Sequence, residues 1–257
     1  MSLQDRITEA VVEQDVEKIK KLLLLFPHNG MDDFNKKDEM DEKNDFCINM
    51  LTFCIYAKNY ELFAQLCGCV DINSRGPTGR TILTNIIDKL EGAFNRHEID
   101  SYSEIEEGIS FILNFIGDII VLDHINVALH YYICILIDNE IEINEKRKNI
   151  IVKMLELGTD IYYVHEDGDC SIITSAVESS VEILEIILEN AYVDGVKGIK
   201  NVQISMLYDA INLCYPYDII ELLLRHVNID EIDISRLIGD IINDDVRELL
   251  IENGVLP

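Results

Sequence analysis

One short pattern recurs along this chain, and it limits the fold more than any other feature. The pattern is a polar or helix-starting residue, an acid, two apolar residues, a polar residue and two or three further apolar ones. It reads Val16-Glu17-Lys18-Ile19-Lys20-Lys21-Leu22-Leu23 and Tyr60-Glu61-Leu62-Phe63-Ala64-Gln65-Leu66. The clearest copies are Val181-Glu182-Ile183-Leu184-Glu185-Ile186-Ile187-Leu188 and Tyr217-Asp218-Ile219-Ile220-Glu221-Leu222-Leu223-Leu224, with a last one at Asp245-Val246-Arg247-Glu248-Leu249-Leu250-Ile251. Looser copies begin at Ile109 and Ile150. Each puts apolar residues at i, i+3, i+4 and i+7, the period of a short helix with one greasy face. In the Val181 copy, Val181, Leu184 and Leu188 line one side while Ile183, Ile186 and Ile187 widen it. So broad a face requires neighbours on more than one side.

A second helical stretch precedes most copies: Ile7 to Gln14, Met50 to Ala57, Ile82 to Leu90, Val127 to Ile137, Ile172 to Glu178 and Met206 to Leu213. The junctions are tight and polar, as at Gln14-Asp15, Lys58-Asn59, Ser179-Ser180 and Tyr215-Pro216. The repeating unit is therefore helix, turn, helix, present about seven times. Its second helices start near residues 16, 60, 108, 149, 181, 217 and 245, on average about 38 apart. The expected fold is all-α, one array of stacked helix pairs over residues 1–257.

Composition narrows the function. The 48 acids against 21 Lys and Arg give a net charge of −27, which disfavours binding to nucleic acid or anionic membrane, both of which need clustered cations. Hydrophobic residues at 48% exclude a disordered acidic tail. The N-terminus lacks the basic-then-apolar order of a secretory signal. The most apolar stretch, 109–137, is interrupted by Asp118, Asp123, His124 and His130, so no transmembrane helix is expected. Seven cysteines, an odd number set mostly in apolar helical patterns, read as free thiols in a reducing cytosol. Cys67-Gly68-Cys69 lacks the spacing of a CxxC pair, and no metal site is expected.

With these elements in place, the chain resembles the ankyrin-repeat family. Gly79-Arg80-Thr81-Ile82-Leu83 looks like the opening Gly-x-Thr-Pro-Leu of a repeat, with Ile82 in place of proline. Asp167-Gly168-Asp169-Cys170-Ser171-Ile172 looks like a more degenerate opening, and Ser179-Ser180-Val181-Glu182-Ile183-Leu184 resembles the family's middle. Val70-Asp71-Ile72-Asn73 and Gly158-Thr159-Asp160-Ile161 resemble its close, and Asn253-Gly254-Val255 a truncated one. The Thr-Pro-Leu-His box is never intact, so an irregular helical bundle or another helix-pair solenoid stays open. Where proline is missing, Thr81 can still cap its helix through the hydroxyl. The resemblance implies an ankyrin-like α-solenoid with short hairpin loops between units.

Two stretches interrupt the array. Residues 29–45 hold seven acids and three lysines and read as a solvated insertion, alternatively an acidic contact arm. Residues 95–107 lengthen the third unit, as either a loop or an extended helix. Residues 201–257, at −8, read as a solvated cap.

No catalytic motif is present: there is no GxSxG, HExxH, Walker-type loop or GxGxxG. The six histidines are scattered, and His165 to Cys170 lacks the ligand spacing of a calcium loop. The expected function is a non-enzymatic protein–protein interaction scaffold without a cofactor, monomeric and cytoplasmic. By matching family positions, the resemblance implies partner contacts from Asn73, Arg75, Arg80, Tyr163, His165 and Asp169. Arg75 and Arg80 stand out as cations in an acidic chain. Arg and Tyr are side-chain types enriched at interface anchors. The net charge favours a basic partner protein. An inhibitor or immunity protein, or a protein capturing a host factor, fits that expectation. The alternatives are an adaptor within a larger assembly, or an enzyme with a cleft near 100–107 or 165–170.

Overall fold

A computed structural model of the chain describes residues 3–13, 15–23, 46–68, 70–75, 79–96, 99–116, 122–164, 170–193, 196–199, 202–233, 236 and 244–257. The insertion at 29–45 and residues His165 and Asp169 lie outside that set. The described residues are overwhelmingly helical, in keeping with the all-α expectation. They form two compact units, Met1–Ala128 and Leu129–Pro257. The first contains α1 (Leu3–Val12), α2 (Val16–Leu23), α3 (46–56), α4 (Tyr60–Cys67), α5 (Ile82–Asn95) and α6 (Ile99–Ile116). Helix α7 (Leu122–Asp138) spans the boundary. The second unit adds α8 (Glu145–Glu156), α9 (Ile172–Ser179), α10 (Val181–Asn190), α11 (Ile204–Asn212), α12 (Tyr217–Arg225) and α13 (Asp244–Glu252). A two-residue antiparallel ribbon, β1 (Tyr192–Val193) and β2 (Val196–Lys197), joins α10 to α11.

Three of the junctions between consecutive helices, α3–α4, α7–α8 and α11–α12, are built alike because each solves the same capping problem. The last carbonyls of a helix have no intrahelical donor, and a left-handed residue after the helix turns the following N–H groups back onto them. Lys58, Glu140 and Cys214 take this role, with φ of 51°, 51° and 58°. Each donates its N–H three residues back, to Ile55, Ile137 and Ile211. The next N–H reaches five residues back, from Asn59 to Cys54, Ile141 to Leu136 and Tyr215 to Ala210, all at 2.9 Å. Among the described residues, these three are the only non-glycine residues with positive φ. Gly158 and Gly254 end α8 and α13 in the same conformation, where glycine avoids the Cβ penalty.

The starts of the helices repeat too. Asp15, Asn59, Asn144 and Ser180 each accept the backbone N–H three residues on, capping α2, α4, α8 and α10. Each such cap contributes about 1 kcal/mol. Thr81 caps α5 as expected and forms a reciprocal box with Thr84, while Ser171 caps α9 over Thr174. After the second helix of a pair, Asp71, Asp160 and Asn228 form matching turns. The side chain of each accepts the N–H two residues on, and its carbonyl accepts the N–H three residues on. Val164 and Ser171 then bridge antiparallel ahead of α9.

Packing follows from the broad apolar faces. In the second unit α9 pairs with α10 and α11 with α12, while α9 also packs on α11 and α10 on both α8 and α12. Ile183, Leu184, Ile186, Ile187 and Leu188 of α10 are all buried, as are Ile219, Ile220, Leu222, Leu223 and Leu224 of α12. Val181, expected on the inner face, is only half-buried. In the first unit α1 packs on α2, α2 on α4 and α5 on α6. An aromatic lock joins α4 to α6: Tyr60 stacks on Phe111 at 4.2 Å, and Phe63 meets the edge of the same ring at 5.4 Å. Helix α6 starts at Ile99, not near residue 108, so the lengthening of the third unit is helix and not loop.

Candidate binding surface

The residues singled out by the resemblance fall on the turns and helix starts. Asn73 is half-buried, and its N–H is held by the Asp71 side chain at 3.0 Å. Tyr163 occupies the place one residue further along the corresponding turn in the second unit, with its N–H on the Asp160 carbonyl at 3.0 Å. It therefore matches Ser74 and not Asn73. The two arginines are already engaged within the chain. Arg75 Nε donates to His124 Nε2 at 3.1 Å, which ties the turn after α4 to the start of α7. Arg80 forms an ion pair with Asp88 of α5 at 2.7 Å. The structure thus brings Asn73, Arg75 and Arg80 into one unit and places Tyr163 in the other.

A different surface emerges where α1 and α3 lie side by side. Thr8, Val11 and Val12 from α1, and Phe46, Asn49, Met50 and Phe53 from α3, line a cavity of about 220 Å³. Val12 is 68% exposed and Phe53 51%, both large apolar side chains left facing solvent. On α3 the exposed residues Asn49, Phe53 and Tyr56 fall at i, i+4 and i+7, one stripe of the helix. The opposite stripe is buried, with Leu51, Cys54 and Ile55 in the core. Beneath this surface α3 is tied to α5. Asn85 Nδ2 donates to Thr52 Oγ1 at 2.9 Å, and that hydroxyl donates to the Ile48 carbonyl at 2.7 Å. This chain of bonds fixes the spacing of α3 and α5. Partial burial and the Asp88 carboxylate push the Tyr56 phenol up to about 12, with Arg96 opposing.

The sequence contained a signal for this surface that the family positions did not. Residues 46–56 carry no charged side chain in a chain that is 27% charged, although three of the eleven face solvent. Depletion of charge with enrichment of Phe, Tyr and Met is the compositional mark of an interface core.

The chemistry within reach is that of contact. Among the described residues no group of three or more His, Cys, Asp or Glu side chains is placed to hold a metal ion. Glu104 and Glu107, at the insertion considered for a cleft, are occupied by Lys58 at 3.2 and 3.6 Å. Burial pushes the Cys54 and Cys134 thiols up to about 11, so neither is a thiolate near neutrality. No helix of the described residues is long and apolar enough to cross a membrane. No known family model matches the chain, and no curated protein matches it in sequence.

Proposed function

We propose that the chain is a non-catalytic protein–protein interaction scaffold, built of ankyrin-like stacked helix pairs, that docks a partner protein with a basic surface. What supports this reading is the recurrence of helix pairs whose parts repeat: a left-handed junction and a following turn in three of them, and a side-chain cap on the second helix of four. Such units bury their apolar sides against neighbours and leave the outer faces of the first helices and the connecting turns for recognition. The uncharged, partly exposed stripe on α3 is one such face. The net charge of −27 adds a field that speeds encounter with a positive target and repels acidic ones. An inhibitor or neutralising partner of a basic protein is the role that best matches that field.

The test is capture of proteins from a native lysate at low and raised salt, with mass spectrometry of the bound set. The reading predicts basic proteins that elute as ionic strength rises and the Debye length falls from about 10 Å at 0.1 M to about 3 Å at 1 M. No specific capture at low salt, or salt-independent capture of acidic proteins, contradicts it.

A further inference from the structure

We infer that the junction between α11 and α12 is a docking site for a basic segment of a partner protein, one that carries apolar residues flanked by arginines. The inference rests on the interaction-scaffold reading and gives it a surface and an occupant. The first observation is what stands at the tip of the junction. Leu213, Cys214, Tyr215, Pro216 and Tyr217 follow one another without a charge. All but the half-buried Tyr215 are exposed, Leu213 at 63% and Tyr217 at 41%. The second observation is that the turn does not require them. The same left-handed junction is built from Ala57-Lys58-Asn59 between α3 and α4, and from Asn139-Glu140-Ile141 between α7 and α8. A charged residue holds the left-handed position in both, and Leu213 stands where they carry alanine and asparagine. An exposed run of apolar side chains that the backbone does not call for points to a contact surface.

The third observation is a rim of charge of one sign. Desolvation and the Glu178 and Asp209 carboxylates raise the Tyr215 phenol above its ordinary value, and its hydroxyl donates to Glu178 Oε1 at 3.3 Å. Desolvation and the charges of Glu221, Glu252, Asp245 and Glu248 do the same at Tyr217. Six carboxylates, from α9, α11, α12 and α13, therefore act on the two rings beside Pro216. Glu221 is engaged by Arg225. Asp245, Glu248 and Glu252 fall at i, i+3 and i+7, one stripe of α13. These features define the occupant. Its apolar residues cover Leu213 and the tip. An arginine lies on the exposed Tyr217 ring and pairs with the carboxylates of α13, since a guanidinium both stacks on an aromatic face and binds carboxylate. An acidic segment of the same shape is rejected by the rim.

The experiment uses the full chain and three short labelled peptides, with fluorescence anisotropy at low and raised salt. One peptide has a central Leu-Phe pair between Arg-Arg flanks, the second has Glu for Arg, and the third has Ser for the central pair. The first is expected to bind best. Leu213→Asn, which installs the residue that the α7–α8 junction carries at 139, should weaken it at least about tenfold and keep its salt dependence. Glu248→Gln combined with Glu252→Gln should also weaken it about tenfold and flatten the salt dependence. Glu145→Gln combined with Glu156→Gln, on α8, changes the net charge equally and should leave affinity within about twofold. All of these side chains are exposed, and unchanged circular dichroism verifies the fold.

Equal affinity of Leu213→Asn, or equal binding of the Ser peptide, overturns the apolar anchor. An equal loss from the α8 pair reduces the charge effect to the overall field and overturns the local rim. No binding of the Arg peptide with the Leu-Phe centre, or preference for the Glu peptide, overturns the junction as a site for a basic segment. Each of these results leaves the wider reading standing, and failure of the lysate capture described above overturns the scaffold reading itself.

Discussion

Glycine 108 offers the sharpest test of the packing described here. It lies buried inside α6, where helix propensity alone predicts that alanine stabilises by about 1 kcal/mol. The structure predicts the opposite sign. A Cβ built on Gly108 runs into Cγ2 of Ile55, well inside any tolerated contact. Ile55 is 3% exposed and β-branched, so its χ1 is stiff and its methyl has nowhere to go. Overpacking of this kind costs about 1–3 kcal/mol. Against the propensity gain, Gly108→Ala should gain nothing and lose up to about 2 kcal/mol, lowering Tm by up to a few degrees in a chain of this size. Gly92 is the internal control. Its added Cβ meets only the Arg96 guanidinium end at 3.2 Å, a flexible group that can move. Gly92→Ala should therefore stabilise by up to about 1 kcal/mol. Ile55→Ala removes the clashing methyl and itself costs about 2–5 kcal/mol. On that background Gly108→Ala should turn neutral or stabilising, a coupling of about 2 kcal/mol. Urea and thermal melts followed by circular dichroism read all four variants. A Gly108→Ala protein about 1 kcal/mol more stable than the wild type, as Gly92→Ala should be, or a change that is the same in both backgrounds, refutes the contact between α6 and α3.

Three further perturbations follow from the repeated junctions and the core. Thr81→Ala removes the reciprocal cap at α5 and should cost about 1 kcal/mol in a urea melt. Cys214→Gly places glycine at an exposed left-handed position and should stabilise by about 1 kcal/mol, whereas glycine in a helix interior does the reverse. The Cys54 thiol is held neutral because burial raises it from 9 to about 11. Its contribution is complete below pH 9 and is lost as pH climbs through 11, since the unfolded thiol ionises first. Melts from pH 8 to 11 should show that loss, and Cys54→Val should flatten it.

Much of this fold was legible in the chain. The second helices begin within a few residues of the expected positions at Val16, Tyr60, Val181, Tyr217 and Asp244, because each copy carries its own apolar period and most carry a cap. The missing proline at Ile82 did not matter, since Thr81 and Thr84 cap the helix between them. What the pattern missed had physical causes. Helix α6 starts early because Ser, Glu and Tyr at 101–107 are compatible with both helix and loop, and only packing against α5 decides. The exposed surface was harder to read. Arg75 and Arg80 looked available as cations, but charge in sequence does not reveal an internal partner such as His124 or Asp88. Phe53 and Tyr56 lie in the helical stretch expected from Met50 to Ala57, but an apolar residue on a helix declares its face only once the neighbours are known.

If adjoining helix pairs stabilise one another locally, a run of pairs folds without the rest. Residues 122–257 contain α7 to α13, including the mutually packed α8 to α13. Expressed alone and followed by circular dichroism in urea, this fragment should give a helical spectrum and one cooperative transition. A fragment with coil-like ellipticity, or with helix that melts without a transition, would contradict the account.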